Sequence, residues 1–81
     1  MIELDIMGDI VSIQDNDARR LRDAAAAEAG RSAGHRDLSL LLDRALQTRR
    51  RVAVHRGEQR ALEEILEKEK LPHLQLIRRG R

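Results

Sequence analysis

Two short segments of alternating apolar and polar residues constrain the fold of this chain more than any other feature. They fill the first thirteen residues and flank Gly8-Asp9, a dipeptide that favours two-residue hairpin loops. The alternation predicts a β-hairpin with its loop at Gly8-Asp9, in which Leu4 lies opposite Ile13. One face of this hairpin is apolar and must be covered by other elements. The residues on that face are Ile2, Leu4, Ile6, Val11 and Ile13.

Three helices and one further strand are predicted after the hairpin. The first helix spans residues 15–29, and the second spans 37–48, with Ser32 as an alternative, earlier cap. Residues 51–55 alternate as a strand, and residues 58–70 form the third helix. The predicted fold class is α+β. It is a small antiparallel sheet, made of the hairpin plus one strand, covered by three helices in the order β-β-α-α-β-α.

The carboxy-terminal residues are set apart by Pro72, which ends the third helix. We therefore predict a single small α+β domain over residues 1–71 and a tail over 72–81. The tail has two alternatives: a short strand through Leu74 and Leu76, or a segment that stays flexible until it meets a partner. The residues predicted to bind a protein partner are Leu40, Leu74, Leu76 and Ile77.

The apolar residues of the chain lack the large surface area of aromatic rings. Its 81 residues include no Phe, Tyr or Trp, so the core must be built from Leu, Ile, Val and Ala. Self-association would relieve this deficit, and a homodimer is therefore favoured over a monomer. Leu40 falls on the side of the second helix opposite its apolar stripe and is a candidate dimer contact.

Several kinds of protein are disfavoured by what the sequence lacks. There is no cysteine, no apolar run of the roughly 18 residues that a membrane span needs, and no signal-peptide pattern at the amino terminus. We therefore expect a cytoplasmic protein with no membrane partner.

Charge is strongly segregated along the chain. Residues 1–17 contain five carboxylates and no basic residue, whereas residues 18–56 contain ten arginines against four acidic residues. This asymmetry indicates a nucleic-acid or acidic partner for the middle segment, or an intramolecular contact between the two segments. The residues predicted to bind nucleic acid, as duplex DNA, are Arg44, Arg49, Arg50, Arg51 and Arg56.

No catalytic or metal-binding pattern is present. His35, His55 and His73 are far apart in sequence and have no second ligand at helix or turn spacing, so we expect solvent-exposed histidines. The serines lack a nucleophile-elbow motif, and the glycines match neither a dinucleotide nor a phosphate loop. The prediction is a protein that is not an enzyme and has no cofactor and no metal.

The segment Leu38–Gly57 resembles the second helix and following strand of Phd/YefM-type antitoxins. The resemblance rests on Leu38-Ser39, on Leu41-Leu42-Asp43-Arg44, on the valines at 52 and 54, and on Arg56-Gly57. It implies a dimeric DNA-binding autorepressor whose carboxy-terminal segment wraps a toxin. A second, lower-ranked likeness is to ribbon-helix-helix repressors.

Two functional hypotheses follow. The first is a small non-enzymatic bacterial regulator, an antitoxin-like module that binds DNA and a protein partner such as a toxin. The alternative is a protein-protein interaction module, or a small structural domain, without nucleic-acid binding.

Overall fold

Three strands form one small sheet, and three helices pack against one of its faces. The structure is a computed structural model and describes residues 1–71 and residue 74. The predicted α+β class and the order β-β-α-α-β-α are confirmed. The elements are β1 (Ile2–Ile6), β2 (Asp9–Ile13), α1 (Asp15–Ala27), α2 (Ala33–Thr48), β3 (Val52–Val54) and α3 (Arg56–Glu69).

The hairpin has the predicted apolar face but a different register. Strands β1 and β2 are antiparallel with Ile2 opposite Ile13 and Leu4 opposite Val11, so the predicted pairing of Leu4 with Ile13 is wrong. The loop is Met7-Gly8, and both residues have positive φ, 54° and 92°, as a type I′ turn requires. The predicted register would have placed Ile2 opposite the charged Asp15. The observed register pairs it with Ile13 instead, and both side chains are almost completely buried.

The sheet is mixed, and in this respect the predicted antiparallel sheet is wrong. Its strand order is β2-β1-β3, and β3 runs parallel to β1. The parallel direction of β3 follows from the two helices, α1 and α2, that connect β2 to β3. Helices α1 and α2 pack against each other, and the end of α2 returns to the start of α1, where Arg49 contacts Asp15. The chain therefore enters β3 at the end of the sheet where β1 begins, and both strands run in the same direction.

Two helices begin earlier than predicted because of their caps. Ser32 is the N-cap of α2, and its Oγ accepts a hydrogen bond from the backbone N–H of Gly34 at 3.1 Å. His55 is the N-cap of α3, where its backbone N–H donates to Glu58 Oε1 at 2.9 Å in a capping box. For α2, the alternative prediction of a cap at Ser32 is therefore confirmed.

The core lies between the sheet and the helices and consists of aliphatic residues. On α2, Leu38, Leu42, Ala45 and Leu46 are buried, and Leu41 is half-buried against them. The largest fully buried side chains are Ile2, Leu4, Ile6, Ile13, Leu21, Leu38, Leu42, Leu62, Ile65 and Leu66.

The core also extends beyond the predicted domain boundary at residue 71. Leu74 is only 8% exposed and belongs to the same hydrophobic cluster. Its assignment to a partner surface is corrected accordingly, because this chain's own core already covers it. Leu76 and Ile77, the other tail residues predicted to bind a partner, lie outside the described residues.

Candidate functional site

The five arginines predicted to bind DNA are distributed over three surfaces. Arg49, Arg50 and Arg51 occupy the α2–β3 turn, at the end of the sheet where β1 begins. Arg44 projects from α2 along the outer edge of β3. Arg56 lies at the opposite end of β3, where it lines a shallow groove with Met7. The turn therefore carries three of the five arginines, and the five do not share one surface.

Two arginines of the turn contact the acidic amino-terminal segment. Arg49 Nη1 lies 2.7 Å from Asp15 Oδ1, and Arg51 Nε lies 3.4 Å from Glu3 Oε1. The intramolecular alternative for the segregated charges is thus confirmed at these two positions. Among the described residues, Arg44, Arg50 and Arg56 form no ion pair.

The contact between Arg49 and Asp15 changes the ionisation of both groups. Hydrogen bonds from Arg49 and from the amino-terminal nitrogen hold the pKa of the Asp15 carboxyl well below its ordinary value of 3.8. The carboxylate in turn raises the pKa of Arg49. Because the pair lies at the surface, solvent screens it, and phosphate or another anion can compete for the guanidinium.

A groove follows the outer edge of β3. It has a volume of about 400 Å³ and lies between α2, β3 and the start of α3. We call it the α2–β3 groove; its lining residues are Asp37, Leu40, Leu41, Arg44, Val52, Ala53, His55 and Glu58. Leu40 is 62% exposed there, while Leu41 and Val52 are half-buried. An exposed leucine beside half-buried apolar side chains and flanking charges is typical of a contact surface for protein.

A second groove, of about 350 Å³, lies between α2 and α3 and contains His35. His35 is 8% exposed, so the expectation of a solvated side chain is wrong for it. Its Nε2 lies 3.5 Å from Glu64 Oε1, and its Nδ1 has no hydrogen-bond partner within the described chain. The spacing of His35, Leu38 and Leu42 on one helix face would have revealed this burial, had the start of α2 been placed at Ser32.

The serines serve backbone hydrogen bonds where they lie on or next to helices. Ser32 caps α2, and the hydroxyl of Ser39 donates to the carbonyl of Arg36 at 2.8 Å. Within residues 1–71 and 74, no group of three or more histidine or acidic side chains is placed to hold a metal ion.

Comparison of the chain with protein-family models, with curated proteins and with solved structures finds no match. The resemblance to Phd/YefM-type antitoxins therefore stays a prediction. In the described part of the chain, none of the helices combines the length and apolar character needed to cross a membrane.

Proposed function

We propose that this chain is a small non-enzymatic protein-interaction module that binds a protein partner along the α2–β3 groove. The observation that carries the proposal is Leu40, which is 62% exposed although the chain has few large apolar residues for its core. An exposed leucine contributes nothing to that core, but it gains free energy when a partner removes it from water.

The edge strand adds a second feature that suits a protein partner. Strand β3 has β1 on one side only, so some of its peptide groups point toward the groove. An extended or helical partner segment can therefore meet backbone and apolar groups together. Asp37 and Arg44 lie at two ends of the apolar part and would orient such a partner through opposite charges.

A site-specific crosslinking experiment in the host cell tests this proposal. A photoreactive amino acid replaces Leu40, and a matched variant carries it at Arg19, an exposed position on α1. We expect ultraviolet light to produce protein adducts from position 40 and few from position 19. Adducts from position 40 should decrease when Asp37→Arg is added. Equal labelling at both positions, or no protein adduct at position 40, would contradict the proposal.

The antitoxin-like DNA-binding regulator is the second candidate, and the arginine turn favours it. Arg50 is exposed with no ion pair among the described residues, and the neighbouring pairs of Arg49 and Arg51 lie at the surface. Such pairs are weak enough to exchange carboxylate for phosphate. The antitoxin-like candidate also implies a toxin as a protein partner. For both candidates we place the protein in the cytoplasm, as its sequence predicts.

Salt-dependent binding to duplex DNA from upstream of the gene distinguishes the two candidates. For the regulator, the affinity falls as salt rises, and the slope decreases when Arg49, Arg50 and Arg51 are replaced by alanine. For the interaction module without nucleic-acid binding, no salt-dependent affinity is found. The absence of aromatic residues makes bound nucleic acid conspicuous in the absorbance of the purified protein.

A further inference from the structure

We infer that the partner in the α2–β3 groove is a second copy of this chain, related by a twofold axis that passes between Leu40 and Leu41. This inference rests on the proposed function and names its partner. Three features of the molecule support it: the charge pattern on α2, the edge position of β3, and a single axis that relates both elements to their copies.

The exposed face of α2 is self-complementary. Asp37, Leu40, Leu41 and Arg44 are spaced i, i+3, i+4 and i+7, so they share one side of the helix. Asp37 and Arg44 are equally distant from the midpoint between the two leucines. An antiparallel copy of α2 centred at this midpoint places each Asp37 opposite the Arg44 of the other chain. The two leucines of each chain then meet in the middle.

A twofold interface requires this kind of pattern. The same patch contacts itself, so every residue at one end meets the residue at the other end. A patch with one charge sign would repel its copy, whereas this one forms two ion pairs of opposite sign. An unrelated partner would not require Asp37 and Arg44 to be symmetric about the apolar centre.

Strand β3 is positioned to pair across the same axis. It is the edge of the sheet in the order β2-β1-β3, and its residues line the same groove as α2. The turn that connects α2 to β3 makes these elements run in opposite directions. A twofold axis perpendicular to the sheet therefore makes both α2 and β3 antiparallel to their copies. Val52 then lies opposite Val54 of the other chain, and two sheets of three strands become one of six.

The length of β3 limits the strength of this pairing. Three residues, Val52–Val54, supply few hydrogen bonds between strands, so the leucines of α2 and the two ion pairs must contribute the rest. An interface made of one three-residue strand and one helix face from each chain falls at the low end of the size range of specific interfaces. We therefore expect a dimer that dissociates on dilution.

Sedimentation velocity of the purified full chain tests the inference, with interference optics because the chain has no aromatic residue. The wild type should sediment as a dimer at high concentration. Asp37→Arg alone and Arg44→Asp alone each place two like-charge pairs across the axis, and each should weaken dimerisation by about tenfold. The double variant restores both pairs and should dimerise like the wild type. Arg19→Glu, the control on α1, should also dimerise normally.

Mixing the two single variants gives a result that only a twofold pairing of residues 37 and 44 explains. In the heterodimer the arginines at both positions of one chain face the aspartates of the other, so the mixture should form dimers at concentrations where each variant alone is monomeric. Circular dichroism confirms that each variant is folded.

The inference is overturned by a wild type that stays monomeric at all concentrations, or by single variants that dimerise like the wild type. In the first case, protein adducts at position 40 in the crosslinking experiment would leave the proposed function standing with a different partner. Absence of those adducts would remove both.

Discussion

The guanidinium Nη1 of Arg49 lies 2.7 Å from Oδ1 of Asp15, and the amino-terminal nitrogen of Met1 lies 2.8 Å from the same oxygen. One carboxylate thus connects the beginning of β1, the beginning of α1 and the end of α2. Arg49 is also the C-cap of α2 in the left-handed conformation, with φ of 59°, which directs the chain from the helix into β3. This contact holds the end of α2 beside the start of α1, where the chain returns to the sheet.

The Asp15 contact predicts a loss of stability in acid. Because the folded state lowers the pKa of Asp15 below its ordinary value of 3.8, the stabilisation is present above that value. It is lost progressively as the pH falls below 3.8, when protons bind the unfolded chain preferentially. We expect Asp15→Asn to melt at a lower temperature than the wild type at pH 6 and to lose less stability between pH 5 and pH 2.

Thermal melts followed by circular dichroism at several pH values measure this difference. Arg49→Gln removes the main cause of the pKa shift and should reproduce much of the effect, since Arg49 supplies the largest interaction with Asp15. Arg50→Gln is the matched control, because this exposed neighbour forms no ion pair among the described residues. A wild type and an Asp15→Asn variant with parallel pH profiles would contradict the assignment.

The hairpin loop carries a second prediction. Met7 has φ of 54°, a conformation that costs a residue with a side chain about 1 kcal/mol or more, and asparagine tolerates it better. Met7 is 58% exposed, so its side chain is dispensable for the core. We expect Met7→Asn to increase the free energy of unfolding by about 0.5–1 kcal/mol, measured by urea denaturation. Gly8→Ala should decrease it, because φ of 92° strains any side chain there.

The hairpin illustrates what residue periodicity determines and what it does not. A shift of register by two residues keeps every side chain on its face, so alternation predicted the buried face correctly and the loop incorrectly. The loop signal Gly8-Asp9 was outweighed by the pairing of Ile2 with Ile13, which the observed register makes possible. Local turn preference was weaker than burial of two large side chains.

The direction of β3 was not predictable from its own residues. Val52 and Val54 face the core in either orientation, and only the return of α2 beside α1 decides that β3 runs parallel to β1. The positions of the arginines likewise depend on the tertiary fold and only in part on the sequence pattern. Segregated charge predicted the contact of Arg49 with Asp15 as one alternative, but the separation of Arg56 from the turn depends on the length of β3.

The approach of α2 to α3 carries the last prediction. A Cβ on Gly34 would lie 2.9 Å from the carbonyl oxygen of Gly57, closer than real contacts allow, whereas a Cβ on Gly57 would meet open space. Both glycines lie in the first turn of a helix, where alanine normally stabilises by up to about 1 kcal/mol. We expect Gly57→Ala to be neutral or stabilising and Gly34→Ala to be destabilising by about 1–3 kcal/mol, because the helix starts must separate. Urea denaturation measures both, and equal stabilisation by the two substitutions would show that α2 and α3 do not meet this closely.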